Sequence, residues 1–328
     1  MGRRRVLRFL VSTAILWPVA AHAQLSDRVR RVGVVMAYTE RDPNGQSQVA
    51  AFRERLQRLG WTEGRNILVD FRYAGDSPTH IRELAIELLG KGPDLMVSNS
   101  NVVTTILQSE VRATPLLFIT VSDPIGSGFV KDLARPGGNV TGFANFQPTM
   151  GGKWFEKLHE VAPHVQNVGL VMHPEAPNFG YLNSAEAAAA GAKLNLVRID
   201  VHTAAEIERA IAIMANQPDS ALIVAPNAVT FANSALIVAL AARHHLPAIY
   251  PFAFFVREGG LMSYGFDAAD QFRQAAIYAN KILRGLNPAD LPVQHPTTFE
   301  VAINLNTARA CGLSIPQEFL LLADELIE

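Results

Sequence analysis

The strongest constraint on the fold is an alternation of short apolar runs with amphipathic segments of helical length, which occurs twice along the chain. The first series has the runs RRVGVVM, NILVDFRY, PDLMVSNS and TPLLFITV. The second starts with the helical segment GGKWFEKLHEVA and has the runs QNVGLVMH, LNLVRIDV, DSALIVAP and LPAIYPF. Alternation of this kind predicts parallel sheets that are covered by helices on both faces and connected by right-handed crossovers.

We therefore expect an α/β protein with two doubly wound, Rossmann-like lobes of about four strands each. Three turn-rich passages, RPGGNVTGF, GGLMSYGFDAAD and NPADLPVQHPTT, are interpreted as three hinge crossovers, with ordinary surface loops as the alternative. The predicted first lobe comprises residues 24–142 and about 265–290, and the second comprises 143–264 and part of 291–328. We also predict a short helix over Phe129 to Leu133, followed by the first crossover in RPGGNVTGF.

The first 23 residues have the order of a secretory signal peptide: four arginines, a short apolar run and the small-residue sequence AHA. We predict cleavage after Ala23 and export to the periplasm, with an uncleaved anchor as the alternative. The start RRRVLR leaves both the Sec and the twin-arginine route open. After cleavage, 25 basic and 30 acidic residues remain, so the net charge is −5.

Composition and motifs exclude several classes of function. The chain lacks a clustered basic face for nucleic acid, and the single cysteine, Cys311, excludes an internal disulfide. A dinucleotide motif starting at Gly126 would need glycine where Lys131 stands. There is no Gly-Lys-Ser/Thr motif, no nucleophile elbow and no zinc-ligand spacing of histidine or cysteine. We predict no catalytic residues, no metal and no cofactor.

Polar side chains follow the predicted strands at their carboxyl ends, where open α/β sheets bind ligands. Tyr38 follows the first strand. Its ring is interpreted either as one wall of a ligand site or as an exposed side chain on a loop. After the third strand come Ser98, Asn99 and Ser100, which suit a carboxylate at a helix N-terminus; a simple cap formed by Ser100 or Asn101 is the alternative. After the fourth strand come Ser122 and Asp123, and the aspartate either meets an ammonium group or starts a turn.

The second series offers a matching set, comprising Asn178, Asn227, Tyr264 and Asp267. Two facing sets of polar strand ends that are joined by hinges form a cleft able to close on a small molecule. Binding without covalent chemistry is therefore the leading hypothesis.

Four stretches resemble the ABC-transporter substrate-binding proteins of the tryptophan/tyrosine type: the first strand–helix–strand unit, VSDPIGSGFVKDLARPGGNVTGF, LAARHHLPAIYPF with GGLMSYG, and FEVAINLNTARACGLSIP. The resemblance implies the type I periplasmic-binding-protein fold and delivery of a ligand to a permease with a cytoplasmic ATPase. It also implies a carboxylate at Ser98–Ser100 and an ammonium partner at a second-lobe turn that often carries aspartate. Here that turn carries Asn227, which weakens the expectation of an α-amino acid.

The sequence thus predicts a monomeric periplasmic solute-binding component of an ABC importer, with a small organic ligand such as an amino acid or an aromatic carboxylate. Two alternatives remain. One is a ligand-sensing protein that presents its closed form to a membrane receptor, and the other is an exported two-lobed hydrolase.

Overall fold

The computed structural model describes residues 28–75, 77–145, 147–174 and 180–328, and in these residues the strands form two sheets. The first sheet has five strands: β1 (Arg30–Met36), β2 (Ile67–Tyr73), β3 (Leu95–Asn99), β4 (Leu116–Val121) and β5 (Val140–Ala144). Their spatial order is β2-β1-β3-β4-β5, and every pairing is parallel. The helices between them are α1 (Pro43–Arg58), α2 (Pro78–Gly90) and α3 (Asn101–Glu110).

The second sheet has seven strands: β6 (Asn167–Met172), β7 (Asn195–Asp200), β8 (Ser220–Val224), β9 (Ala248–Tyr250), β10 (Met262–Phe266), β11 (Phe299–Asn304) and β12 (Glu325–Ile327). Its helices are α4 (Met150–Val161), α5 (Tyr181–Ala192), α6 (Ala204–Ala215), α7 (Ala228–Ala232), α8 (Ser234–Arg243) and α9 (Ala253–Arg257), with α11 (Leu305–Ala310) and α12 (Gln317–Leu320) near the end of the chain. The spatial order is β12-β11-β10-β9-β8-β6-β7, and β11 runs antiparallel to β10.

Each sheet is covered on both faces because its strands are apolar on both sides. In β1, Val34 packs towards α1 and towards α10 (Ala268–Leu283), whereas the neighbouring Val35 packs towards α2 and α3. In the second sheet, Ile223 of β8 lies in the core with α4 and α5, and Leu222 lies in the core with α6 and α8. The predicted architecture of two doubly wound α/β lobes is confirmed.

The chain passes between the two lobes three times. It leaves the first sheet after Ala144 and enters α4 of the second lobe. It returns after Phe266, because α10 packs on α1 and contributes Phe272 to the first core. The third passage follows a short 3₁₀ turn at Pro288–Asp290 and ends in β11 of the second sheet.

These passages lie side by side. The N–H of Ala144 donates to the carbonyl of Gln294 over 2.8 Å, and the N–H of Asp267 donates to the carbonyl of Thr298 over 3.2 Å. We call residues 145 and 147–149, residues 266–268 and residues 294–298 the three hinge segments.

Two local predictions in the Gly-rich stretch are wrong. Residues 129–133 form bends and irregular backbone instead of a helix, because Phe129 is buried against Phe118, with ring centroids 6.2 Å apart, and this anchors an irregular loop. The segment RPGGNVTGF does not cross between the lobes. Gly137 and Gly138, with φ of 71° and 67°, turn the chain into β5, which stays in the first sheet. The predicted boundary at Gly142 lies within this strand.

Candidate functional site

In both sheets, the carboxyl ends of the parallel strands lie on the side of the hinge segments. β5 ends at Ala144, where the first passage begins, so the carboxyl ends of its parallel neighbours β1, β3 and β4 lie on that side. β10 ends at Phe266, where the second passage begins, and β9 is parallel to it. A cleft bounded by the carboxyl ends of both sheets is therefore the candidate site.

In the first lobe, the structure brings Ser98, Asn99 and Ser100 together, but only Ser100 reaches the surface. Ser98 is fully buried, and its hydroxyl lies 2.8 Å from Thr104 Oγ1 inside the lobe. The side chain of Asn99 is also buried, and its Oδ1 accepts a hydrogen bond from the N–H of Ala37 over 2.6 Å. These two side chains therefore hold the end of β3 to its neighbours instead of facing the cleft.

Ser100 is the N-cap of α3 and accepts a hydrogen bond from the N–H of Val103 over 3.4 Å. Its φ of 80° lies in the left-handed region, which is uncommon for a residue other than glycine and is typical of functional turns. The first N–H groups of a helix have no acceptor within the helix, so the start of α3 presents donors and a positive dipole end to the cleft.

The loop after β4 is anchored by two asparagine side chains that the sequence analysis did not assign to the site. Asn101 accepts from the N–H of Ser122 and donates to its carbonyl, both over 2.8 Å, so the amide acts like one more strand partner. Asn145, in the first hinge segment, accepts from Ser122 Oγ over 2.9 Å and donates to the carbonyl of Thr120 over 3.2 Å. Asn101 follows soon after the buried strand β3, and Asn145 directly follows the buried strand β5. This position after a buried strand is the sequence signal that could have identified both residues.

Asp123 is exposed and has a φ of 42°. Its Oδ1 accepts from the N–H of Gly126 over 2.8 Å, so the turn-forming interpretation of this aspartate is realised. One carboxylate oxygen serves the turn, which leaves the other available to solvent or to a ligand. Ser122 is half-buried, and its hydroxyl is used by Asn145.

Tyr38 packs across the start of α1 instead of standing free on a loop. A Cβ added to Gly45 would lie 3.0 Å from the tyrosine ring, so a larger residue here would press on the ring. The hydroxyl accepts a hydrogen bond from Gln48 Nε2 over 3.1 Å. Burial raises the pKa of Tyr38 above its ordinary value, so the phenol remains neutral.

In the second lobe, the predicted residues are held in structural contacts. Asn227 forms a capping box with Thr230: its Oδ1 accepts from the N–H of Thr230 over 2.9 Å, and its N–H donates to Thr230 Oγ1 over 3.2 Å. Tyr264 stacks on Phe299 with centroids 5.4 Å apart. Asp267 caps α10 and forms an ion pair with Arg273. Asn178 lies outside the described residues.

Aromatic side chains line the second lobe near Asn227. Phe231 of α7 is 38% exposed and lies 5.7 Å from the ring of Phe252, which in turn lies 5.2 Å from that of Phe266. Because Phe252 follows β9 and Phe266 ends β10, this aromatic wall occupies the carboxyl edge of the second sheet. The sequence analysis did not assign these residues to the site, although the run PFAFF after β9 could have indicated them.

Two features of other classes of function are absent from the described part of the chain. Three His, Cys, Asp or Glu side chains do not converge at any described position in a way that could hold a metal ion. None of the described helices has both the length and the apolar character needed to cross a bilayer.

Two α/β lobes with three connecting segments and a cleft at their carboxyl edges are the architecture of type I periplasmic binding proteins. The model of the family described as ABC transporter substrate binding protein matches residues 34–327, so the chain belongs to this family. The resemblance predicted from the sequence is thereby confirmed.

Several known proteins are similar to this chain. A curated tyrosine-binding protein of Clostridioides difficile is 22% identical over 289 residues, which cover 88% of this chain and 83% of that protein. The structure of an ABC domain in complex with L-Trp from Streptococcus pneumoniae has a TM-score of 0.78 and 24% identity, and the match covers 92% of this chain and 100% of the other. A ligand-free, open substrate-binding protein from Clostridium difficile has a TM-score of 0.78 and 22% identity, with 91% and 99% covered.

Proposed function

We propose that this protein is the solute-binding component of an ABC importer and that it binds an aromatic amino acid, or an aromatic carboxylate, between its lobes. The observation that carries the proposal is the match of the family model to residues 34–327. The names of the similar proteins, one tyrosine-binding and one in complex with L-Trp, supply the ligand class. Binding would favour the closed arrangement of the lobes by its differential affinity, without covalent chemistry.

The carboxylate of the ligand is assigned to the start of α3. Ser100 offers a hydroxyl there, and the unpaired N–H groups of the first helical turn and the helix dipole favour an anion. Ser98 and Asn99, which were predicted as direct ligands, support this turn from beneath by their bonds to Thr104 and Ala37.

The ammonium group, where the ligand has one, is assigned to Asp123. Asn227 is neutral, and its amide oxygen is already occupied by the cap of α7. Asp267 is already paired with Arg273. Asp123 is exposed at the carboxyl edge of the first sheet and keeps one carboxylate oxygen outside its turn. The rings of Phe231 and Phe252, which are backed by the buried ring of Phe266, are assigned to the ring of the ligand, since stacked and edge-to-face aromatic pairs are favourable.

Export and partners complete the proposal. The charged, apolar and small-residue order of residues 1–23 supports a signal peptide that directs the protein to the periplasm. There the closed form would be delivered, as a monomer, to a permease that is powered by a cytoplasmic ATPase. Membership of the ABC transporter family supports this partner.

We expect L-Trp or L-Tyr to raise the melting temperature of the purified protein, because a ligand that binds only the folded state stabilises it by mass action. At a ligand concentration of 100 times Kd, the stabilisation is about 2.7 kcal/mol. For a chain of this length this corresponds to a rise of about 4 °C. Thermal shift with these amino acids, aromatic carboxylates without an ammonium group and aliphatic amino acids is the measurement. Turnover of an ester or amide substrate without any thermal shift would contradict the proposal.

Ser100→Ala is expected to weaken ligand affinity about tenfold, because it removes a hydrogen bond to a carboxylate. Ser77→Ala is the matched control: Ser77 is the N-cap of α2 and accepts from the N–H of His80 at the same distance of 3.4 Å. Both variants lose a similar helix cap, so both should lose similar stability, but only Ser100→Ala should lose affinity in isothermal titration calorimetry. Equal affinities in the two variants would exclude the start of α3 as the carboxylate site.

A further inference from the structure

Several carboxylates gather where the second and third hinge segments lie side by side. Asp267 is the residue between β10 and α10, and its N–H donates to the carbonyl of Thr298 over 3.2 Å. The hydroxyl of Thr298 donates to Asp270 Oδ2 over 3.1 Å. Glu300 follows two residues later in β11 and pairs with Gly265 of β10, which places it beside Asp267. The junction between the lobes is thus built from three acidic residues.

Cations neutralise this junction only partly. Arg273 of α10 is bound by both Asp267 and Asp270, and its Nε lies 3.2 Å from Asp270 Oδ1. On the other side of Glu300, Arg257 of α9 forms a bidentate pair with Glu325 of β12 over 2.7 and 2.9 Å. Arg257, the arginine whose charge acts on Glu300, is therefore shared with Glu325, and Arg273 is shared by Asp267 and Asp270.

One further carboxylate faces Glu300 from the turn before β12. Asp324 Oδ2 accepts from the N–H of Val301 over 2.8 Å, which holds its charge next to β11. Glu300 is half-buried among these groups and lies diagonally across the β10–β11 pair from Asp267, which places the two carboxyl groups where they can share a proton.

We propose that Glu300 is a proton-sensitive latch of the hinge: when protonated it donates to Asp267 and holds the second and third hinge segments together, and when ionised it repels Asp267 and loosens them. Asp267 also caps α10 through the N–H of Asp270, so its movement is transmitted to a helix of the first lobe, whereas Glu300 belongs to the second sheet. This latch is separate from the ligand-binding function and acts with or without a bound ligand.

The electrostatics of the junction set the pH range. Burial raises the pKa of Glu300 to about 7, with further contributions from the charges of Asp267 and Asp324 and an opposing one from Arg257. The folded protein therefore holds this proton at pH values where the unfolded chain has lost it. The associated stability is fully present below the ordinary carboxyl pKa of 4.5 and is lost as the pH rises through about 7.

The test measures the distance between the lobes directly. Nitroxide labels are placed on the exposed positions Gln57 of α1 and Glu208 of α6, each changed to cysteine, in the full chain with Cys311→Ser. Pulsed electron spin resonance then gives the interlobe distance distribution between pH 5.5 and 8.5, without ligand. We expect a narrow distribution at pH 5.5 that becomes broader or longer with a midpoint near pH 7.

Glu300→Gln should keep the narrow distribution at all pH values, because the glutamine amide donates to Asp267 without titrating. Asp267→Asn should move the midpoint to lower pH, because it removes one repelling charge. Glu318→Gln, at an exposed position of α12, is the control and should behave as the unaltered protein does. A distribution that does not change with pH in the unaltered protein, or the same transition in Glu300→Gln, would overturn the proposal. An unchanged midpoint in Asp267→Asn would also overturn it.

Discussion

Replacement of Trp154 by alanine is expected to lower the free energy of unfolding by about 3–5 kcal/mol, which is typical of truncating a fully buried Trp or Phe. Trp154 of α4 has no exposed surface, and its ring lies 5.1 Å from that of Tyr181. Its Nε1–H donates to the carbonyl of Tyr264 over 2.7 Å, across 110 residues of sequence. The variant would leave a cavity and would also leave a carbonyl of β10 without this donor.

Denaturant unfolding of the purified protein measures this change. Trp154→Phe separates the two causes, since it keeps most of the ring volume but loses the hydrogen bond, and a loss of about 1–3 kcal/mol is expected for it. Leu321→Ala is the surface control, because Leu321 is 81% exposed, and it should change stability by less than about 0.5 kcal/mol. If Trp154→Ala cost no more than the control, Trp154 would not be an anchor of the second core.

Gly151→Ala is expected to destabilise the second lobe by about 1–3 kcal/mol or more, because the new methyl group would overlap the backbone of α5. An ideal Cβ at this position lies 1.9 Å from the carbonyl oxygen of Tyr181 and 2.8 Å from Ser184 Oγ. Backbone atoms cannot rotate away as a flexible side chain could. The two helices α4 and α5 would have to separate, which would also disturb the contact between Trp154 and Tyr181.

Gly191→Ala, in the same pair of helices, is expected to have the opposite effect on stability. Nothing lies within 4 Å of an ideal Cβ at Gly191, and its φ is not in the left-handed region. Because alanine has the higher helix propensity, this variant should gain about 0.5–1 kcal/mol. Circular dichroism melts of the two variants would distinguish them by sign. A loss in Gly191→Ala equal to that in Gly151→Ala would show that close packing is not the cause.

The sequence predicted the secondary structure of the two series well, because the start of a helix and the buried face of each element are encoded by residues that are close together in the sequence. Ser77-Pro78 starts α2, with Ser77 as its cap, and the apolar residues at Ile207, Ile211 and Met214 form the buried face of α6. The antiparallel β11 and the short β12 were harder to place in a sheet. Their partners lie 23 to 41 residues away in sequence, and no local pattern encodes which edge of which sheet they join.

In the candidate site, too, the local features were predictable from the sequence and the long-range contacts were not. The sequence identified the strand ends at Ser100 and Asp123, since polar residues that follow apolar runs are visible without a structure. It could not distinguish residues that face the cleft from those that face inward. The Ser98 hydroxyl is buried and hydrogen-bonded to Thr104, and the Asn227 amide oxygen accepts from the first turn of α7. Each bond satisfies a buried or helix-terminal polar group, so neither side chain is left to face the cleft.

By itself, the sequence determined the class of fold, the family and the approximate positions of the turns at the carboxyl ends of the strands, because hydrophobic periodicity and turn-forming residues act over short distances. Only the tertiary structure decided that Gly137 and Gly138 turn the chain into β5 instead of crossing between the lobes. It also decided that Asn101 and Asn145 hold the loop after β4, and that Glu300 lies diagonally across from Asp267 at the hinge. These outcomes depend on long-range packing, which sets the burial and charge around each side chain.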